Sequence, residues 1–147
     1  MIVKIKRLIK DAVIPSYSKA GDAGLDITAI SDGEYNPIEK NYTYHTGIAV
    51  DIPEGYVGLI FPRSSLSKKD LFLTNSVGVI DHGYTGEILF KFKEVINKSG
   101  SSESKKYSKG DRIGQLIILP IPRIEFEEVE ELPTYERGSS GFGSTGN

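Results

Sequence analysis

The apolar residues of this chain come in short, β-branched runs broken by glycine, proline or asparagine about every ten residues, a rhythm that fits strands and little else. Helical periodicity, with apolar positions recurring three and four apart, is nearly absent. In Glu87-Ile-Leu-Phe-Lys-Phe-Lys, the residues Ile88, Phe90 and Phe92 alternate with Leu89, Lys91 and Lys93, which marks a strand with one face in a core. Comparable runs place strands at 2–8, 26–29, 42–51, 56–62, 71–80, 87–96, 112–120 and 123–129. The expected fold is a single all-β domain, a sandwich or barrel. At 147 residues the chain can bury about two thirds of its unfolded surface without covalent staples.

Composition removes several functions. There is no cysteine, which excludes disulfides and thiolate metal sites. With only His45 and His82, a zinc site would need mostly carboxylate ligands, so zinc is discounted. A formal charge of -2 argues against direct nucleic-acid binding but leaves room for a small polyanion held by local arginines. No run has the length of a signal peptide core or a membrane span, and a cytoplasmic protein is expected.

Four segments carry candidate chemistry. Arg63, Ser64 and Ser65 follow a strand and set a guanidinium fork beside two hydroxyls at the start of a short helix; they read either as phosphate donors or as a serine-capped surface turn. The stretch from Gly78 to Glu87 reads as a β-hairpin turning at Asp81-His-Gly-Tyr84, with Gly83 at positive φ. An exposed strand edge there, offering a C=O between N-H groups, would complement uracil, whose N-H lies between two carbonyls. Asp81 is then a candidate general base and Tyr84 a sugar contact, unless both are ordinary turn residues. Gln115, alone in the apolar run 112–120, either satisfies a buried neighbour or holds a water or phosphate.

The tail 136–147 combines Arg137, Phe142 and several hydroxyls with glycines, and is too short to order itself. It is either a frayed end or a flap that folds on a ligand or a neighbouring subunit. Because it lacks a Gly-Lys-Ser/Thr ending and no helix follows, it is neither a P-loop nor a dinucleotide turn. The polar run 97–109 reads as a solvated loop.

Five segments in order resemble the motifs of the trimeric deoxyuridine triphosphatases, the dUTPases. They are Ala20-Gly-Asp-Ala-Gly-Leu-Asp26, Pro62-Arg-Ser-Ser-Leu66, Asn75-Ser-Val-Gly-Val-Ile-Asp-His-Gly-Tyr-Thr-Gly-Glu87, Asp111-Arg-Ile-Gly-Gln-Leu-Ile117 and Arg137-Gly-Ser-Ser-Gly-Phe-Gly-Ser-Thr-Gly146. The resemblance implies a jelly-roll-like distorted barrel over 1–132, a tail over 133–147, and a homotrimer with active sites at subunit contacts. It implies hydrolysis of dUTP to dUMP and pyrophosphate, with Asp81 activating water against the α-phosphate and Gln115 holding that water or the phosphate. Tyr84 would pack on deoxyribose and exclude a ribose hydroxyl. The main chain at Gly78, Val79 and Ile80, with Leu89 opposite, would read uracil, and Asn75 would shape its pocket. Arg63, Ser64 and Ser65 would bind phosphates, joined by Arg137, Gly143, Ser144 and Thr145 from the tail, while Phe142 stacks on the base. Mg²⁺ would sit on the triphosphate, with Asp26 reached through its water shell.

The chain departs from the family at a few places. Ser65 and Ser140 stand where glycine is common, Ile27 where leucine is frequent, and Gly114 where alanine is frequent, the last a minor packing difference on this reading. Two rival functions share the fold or the surface. A dCTP deaminase would use a glutamate base on the ring and would need neither Asp81 nor the tail, and a protein-binding role would be sought in the loop 97–109.

Overall fold

The computed structural model describes residues 1–95, 105–136 and 138. Their strands are β1 (Lys4–Arg7), β2 (Leu25–Thr28), β3 (Glu34–Asn36), β4 (Asn41–His45), β5 (Ile48–Asp51), β6 (Tyr56–Pro62), β7 (Leu71–Leu73), β8 (Gly78–Ile80), β9 (Leu89–Glu94) and β10 (Arg112–Pro120), with a 3-10 helix at Ser64–Lys68. Two open four-stranded sheets run in the orders β2-β10-β6-β8 and β3-β4-β9-β7, and β1 pairs with β5. Every named ladder is antiparallel. None of the described helices is long and apolar enough to cross a membrane.

The inner faces of the two larger sheets form one core. Phe90, Phe92 and Tyr44 from one sheet meet Ile27, Ile60, Ile113 and Leu116 from the other. The alternation read in the sequence of β9 is realised, with Phe90 and Phe92 fully buried on one face and their rings stacked at 6.1 Å. Each such side chain contributes about 1.5–3 kcal/mol by leaving water. Gly114 sits against this layer, where a methyl would run into the Phe90 ring and the Phe61 carbonyl. Its difference from alanine is therefore a requirement of the packing here and not a minor one.

Several expected strands divide. The run 42–51 breaks at Thr46 and Gly47, the latter at φ 65°, and its second half leaves β9 to pair with β1. The run 71–80 breaks in a turn where Ser76 has φ 58°, sending β7 to one sheet and β8 to the other. Consequently Gly78 to Glu87 is not a hairpin. The turn exists, with Gly83 at φ 86° and the Tyr84 N-H donating to the Asp81 carbonyl at 3.2 Å, but β8 pairs with β6 while β9 pairs with β4 and β7. Residues 123–129 join no ladder, and β3, a polar three-residue edge, had no apolar run to announce it. Nor do the serines cap the 3-10 helix. Its N-cap is Arg63, without a side-chain cap bond, and Ser67 Oγ donates to the Ser64 carbonyl instead, at 2.8 Å.

Candidate active site

At one end of the β2-β10-β6-β8 sheet, three neighbouring strands bring distant residues together. Asp26 of β2 lies opposite Gln115 of β10, which lies opposite Phe61 of β6, two residues before Arg63. Asp26 is only 6% exposed, and its carboxylate accepts from Arg63 Nε at 2.9 Å, Arg112 Nη1 at 2.9 Å and Gln115 Nε2 at 3.2 Å, with Arg63 Nη2 at 3.4 Å. Positions 112 and 115 would face opposite ways on a regular strand. A bulge between Arg112 and Gly114 shifts the phase by one residue, so both side chains reach the same carboxylate. Asp26 fixes the Arg63 fork, and the half-exposed Arg112, whose Nη1 also donates to Ser18 Oγ at 3.2 Å, stands at the rim.

A second site opens at the free edge of β8. A cleft of ≈ 290 Å³ is lined by Val79, Ile80, Asp81 and Tyr84 on one side and by Glu87, Ile88 and Leu89 on the other. Asp81 is exposed at its mouth. The Tyr84 ring lies against Gly86, and its hydroxyl donates to the Glu87 carbonyl at 3.0 Å. His82 Nδ1 donates to the Ile52 carbonyl at 2.6 Å and ties the turn to the chain before β6. Asn75 is outside the lining, but its Nδ2 abuts Gly78.

Glu87 anchors the floor of the cleft. It accepts from the N-H groups of Thr46 at 3.1 Å and Gly47 at 2.7 Å, and pairs with His45 Nδ1 at 3.0 Å. Burial alone would raise its carboxyl, but these hydrogen bonds and the His45 charge hold it below the ordinary carboxylate value.

The two sites are far apart in one chain. Ile80 pairs with Gly58, whereas Arg63 follows the last residue of β6. At ~3.3 Å per residue, the step from position 58 to 63 is about 16 Å along β6, and Arg63 is held by Asp26 of β2, on the opposite side of β6 from β8. Among the described residues, no group of three or more His, Asp or Glu side chains is placed to hold a metal ion. Both Asp26 oxygens already accept two donors each, so a hydrated cation would reach this carboxylate only by displacing one of them. Arg137, Phe142, Gly143, Ser144 and Thr145 lie outside the described residues.

Comparison with known proteins gives the family. The family model described as dUTPase matches residues 10–146. The chain belongs to the dUTPase family. It is 41% identical over 145 residues to a deoxyuridine 5'-triphosphate nucleotidohydrolase of Thermobifida fusca, covering 98% of this chain and 78% of that one. With the enzyme of the same name from Hydrogenobaculum sp. it shares 40% identity over 148 residues, covering 99% of each. Among solved structures, a mutant Staphylococcus bacteriophage 80alpha dUTPase with dUpNHpp aligns with TM-score 0.79, 32% identity and 99% of both chains covered. A mutant dUTPase from phage phi11 of S. aureus, described as coordinating a structural Mg(II) ion, aligns with TM-score 0.69 and 29% identity over 89% of this chain and 98% of that one.

Within this dUTPase, sequence reasoning passed over Arg112, Glu87 and His45. Arg112 lies inside a recognised motif, and only the bulge reveals that it shares Asp26 with Arg63. The 45–47 turn carries no sequence mark of its bond to Glu87, since the partners are about forty residues apart.

Proposed function

We propose that the chain hydrolyses dUTP to dUMP and pyrophosphate at sites assembled between subunits of a homotrimer with a jelly-roll-like protomer. The observation that carries this reading is the division of the machinery, with the nucleoside cleft and Asp81 on one edge and the basic cluster around Asp26 at the other end of β6. A neighbouring copy that sets its basic cluster against this cleft closes the ~16 Å gap. The chain after β10 supports such an arrangement, because Ile124, Phe126 and Leu132 are 68%, 96% and 82% exposed and have no ladder within their own chain.

In the assembled site, uracil enters the cleft against the unpaired edge of β8, whose outward N-H and C=O groups match its edge. Tyr84, held by Gly86 and the Glu87 carbonyl, packs on the deoxyribose and leaves no space for a 2'-hydroxyl. Asp81 takes a proton from the water that attacks the α-phosphate. Gln115 donates through Nε2 to Asp26, which leaves its Oε1 to orient that water. Arg63, Ser64 and Ser65 hold phosphate oxygens, and the tail residues Arg137, Gly143, Ser144 and Thr145 close over the phosphates as Phe142 covers the base. Asn75, whose Nδ2 abuts Gly78, shapes the uracil pocket from behind β8 in this reading.

Mg²⁺ belongs to the substrate in this reading, carried on triphosphate oxygens and neutralising their charge. The committed carboxylate of Asp26 does not fit a place in its water shell. The reaction would keep uracil out of DNA and supply dUMP for thymidylate. Pyrophosphate release from dUTP, with dCTP, dTTP and UTP alongside, tests the proposal. Turnover of dUTP alone is expected, falling about 10²- to 10⁴-fold in Asp81→Asn as for loss of a general base. Ammonia released from dCTP would replace this reading with the deaminase.

A further inference from the structure

The resemblance gives Glu87 no role, yet this residue connects the sugar contact to the rest of the fold. Tyr84 is 46% exposed, so packing alone does not cage its ring. Two contacts set where the ring lies. It passes over Gly86, where a Cβ would come within 2.7 Å of Tyr84 Cζ, and its hydroxyl donates to the Glu87 carbonyl at 3.0 Å. Any movement of residue 87 therefore moves the acceptor that aims the ring.

The side chain of Glu87 holds that acceptor in place from behind. Its Oε1 accepts from the N-H groups of Thr46 and Gly47, and its Oε2 accepts from His45 Nδ1. His45 Nε2 lies 3.8 Å from Glu34 Oε2, so the imidazole stands between two carboxylates. The next residue is tied to the same turn, with Thr46 Oγ donating to the Ile88 carbonyl at 2.6 Å and Ile88 N-H donating to the Ile48 carbonyl at 2.9 Å. Hydrogen bonds to an ionised carboxylate are about twice as strong as neutral ones, which makes this a stiff anchor. It also turns the Glu87 charge toward the 45–47 turn, although the residue lines the cleft.

We infer that Glu87 and His45 are positioning residues for sugar selection: the pair fixes the Glu87 carbonyl, the carbonyl fixes the Tyr84 ring, and the fixed ring keeps a ribose 2'-hydroxyl out of the cleft. Rejecting a substrate for one extra hydroxyl requires a wall that does not yield, so the preference for dUTP over UTP depends on what stands behind Tyr84 as well as on the ring itself. The inference deepens the dUTP reading of this cleft and rests on it.

The test measures kcat/KM for dUTP and for UTP, the latter with enzyme in excess, together with melting temperature, in wild type, Tyr84→Phe, Glu87→Gln, His45→Ala and the double variant of Tyr84→Phe with Glu87→Gln. Tyr84→Phe keeps the ring and removes its tie, and is expected to lower the preference for dUTP over UTP about two- to tenfold, the range of one neutral hydrogen bond. Glu87→Gln and His45→Ala are expected to lower it in the same direction, through faster UTP turnover. Added to Tyr84→Phe, the Glu87→Gln change is expected to cost no further preference, since both act through one bond. Should Glu87→Gln fail to fold, His45→Ala, which leaves both backbone donors of the turn paired, carries the test alone. A preference unchanged in Glu87→Gln and His45→Ala, whatever their melting temperatures, would make the pair a support for the turn only. Losses that add in the double variant would show a route that bypasses the Tyr84 hydroxyl and would equally overturn the inference. If wild type does not turn over dUTP at all, the functional reading fails first and this inference falls with it.

Discussion

At the scale of single residues, the molecule is governed by atoms that have no room to move. Gly114 faces the Phe90 ring so closely that a methyl group has no place, and the fully buried Phe90 cannot retreat toward solvent. Gly114→Ala is expected to destabilise by about 1–3 kcal/mol, the usual cost of overpacking. Urea denaturation checks this, and an unchanged midpoint would mean that the ring shifts freely. Asp26 is constrained differently. A nearly buried carboxylate is tolerable only with full compensation, which two guanidinium groups and one amide provide. The sequence marks Asp26, Arg63 and Gln115 as members of separate motifs. Arg63 and Gln115 reach the Asp26 carboxylate through the pairing of β2, β10 and β6, and Arg112 joins them only because a bulge in the register shifts its phase.

At the scale of elements, strand-forming runs were legible and their partners were not. The alternation of β9 and the apolar run of β10 identify themselves, because one face or both faces are buried. The runs 42–51 and 71–80 look continuous because apolar character persists through the turns that divide them, and only the positive φ of Gly47 and Ser76 shows where the chain changes sheets. The 123–129 run has strand-like alternation but finds no partner inside its own chain. Glu87 joins two of these elements, binding the 46–47 turn to the start of β9 at the floor of the cleft. Its carboxyl is held below the ordinary value of 4.5, so its contribution to stability is complete above that pH and is lost as pH falls through the lower folded value. Melting curves should show Glu87→Gln less stable than wild type at neutral pH, with the gap narrowing as the pH falls below 4.5 and through the lower folded value. A constant gap across that range would mean that the charge of Glu87 is not what holds the turn.

At the scale of the whole molecule, the proposed site draws its groups from more than one protomer. Asp81 and Arg63 lie toward opposite ends of β6, and the proposed reaction brings them together across two copies of the chain. Mixing two inactive variants, Asp81→Asn and Arg63→Ala, tests this most directly. In a cyclic trimer with shared sites, a mixed assembly regains one intact site, and random 1:1 assembly restores about one quarter of the wild-type dUTP turnover. If the variants co-assemble, confirmed by native mass spectrometry, and the mixture remains inactive, both groups must act within one chain and the account of a shared site is wrong.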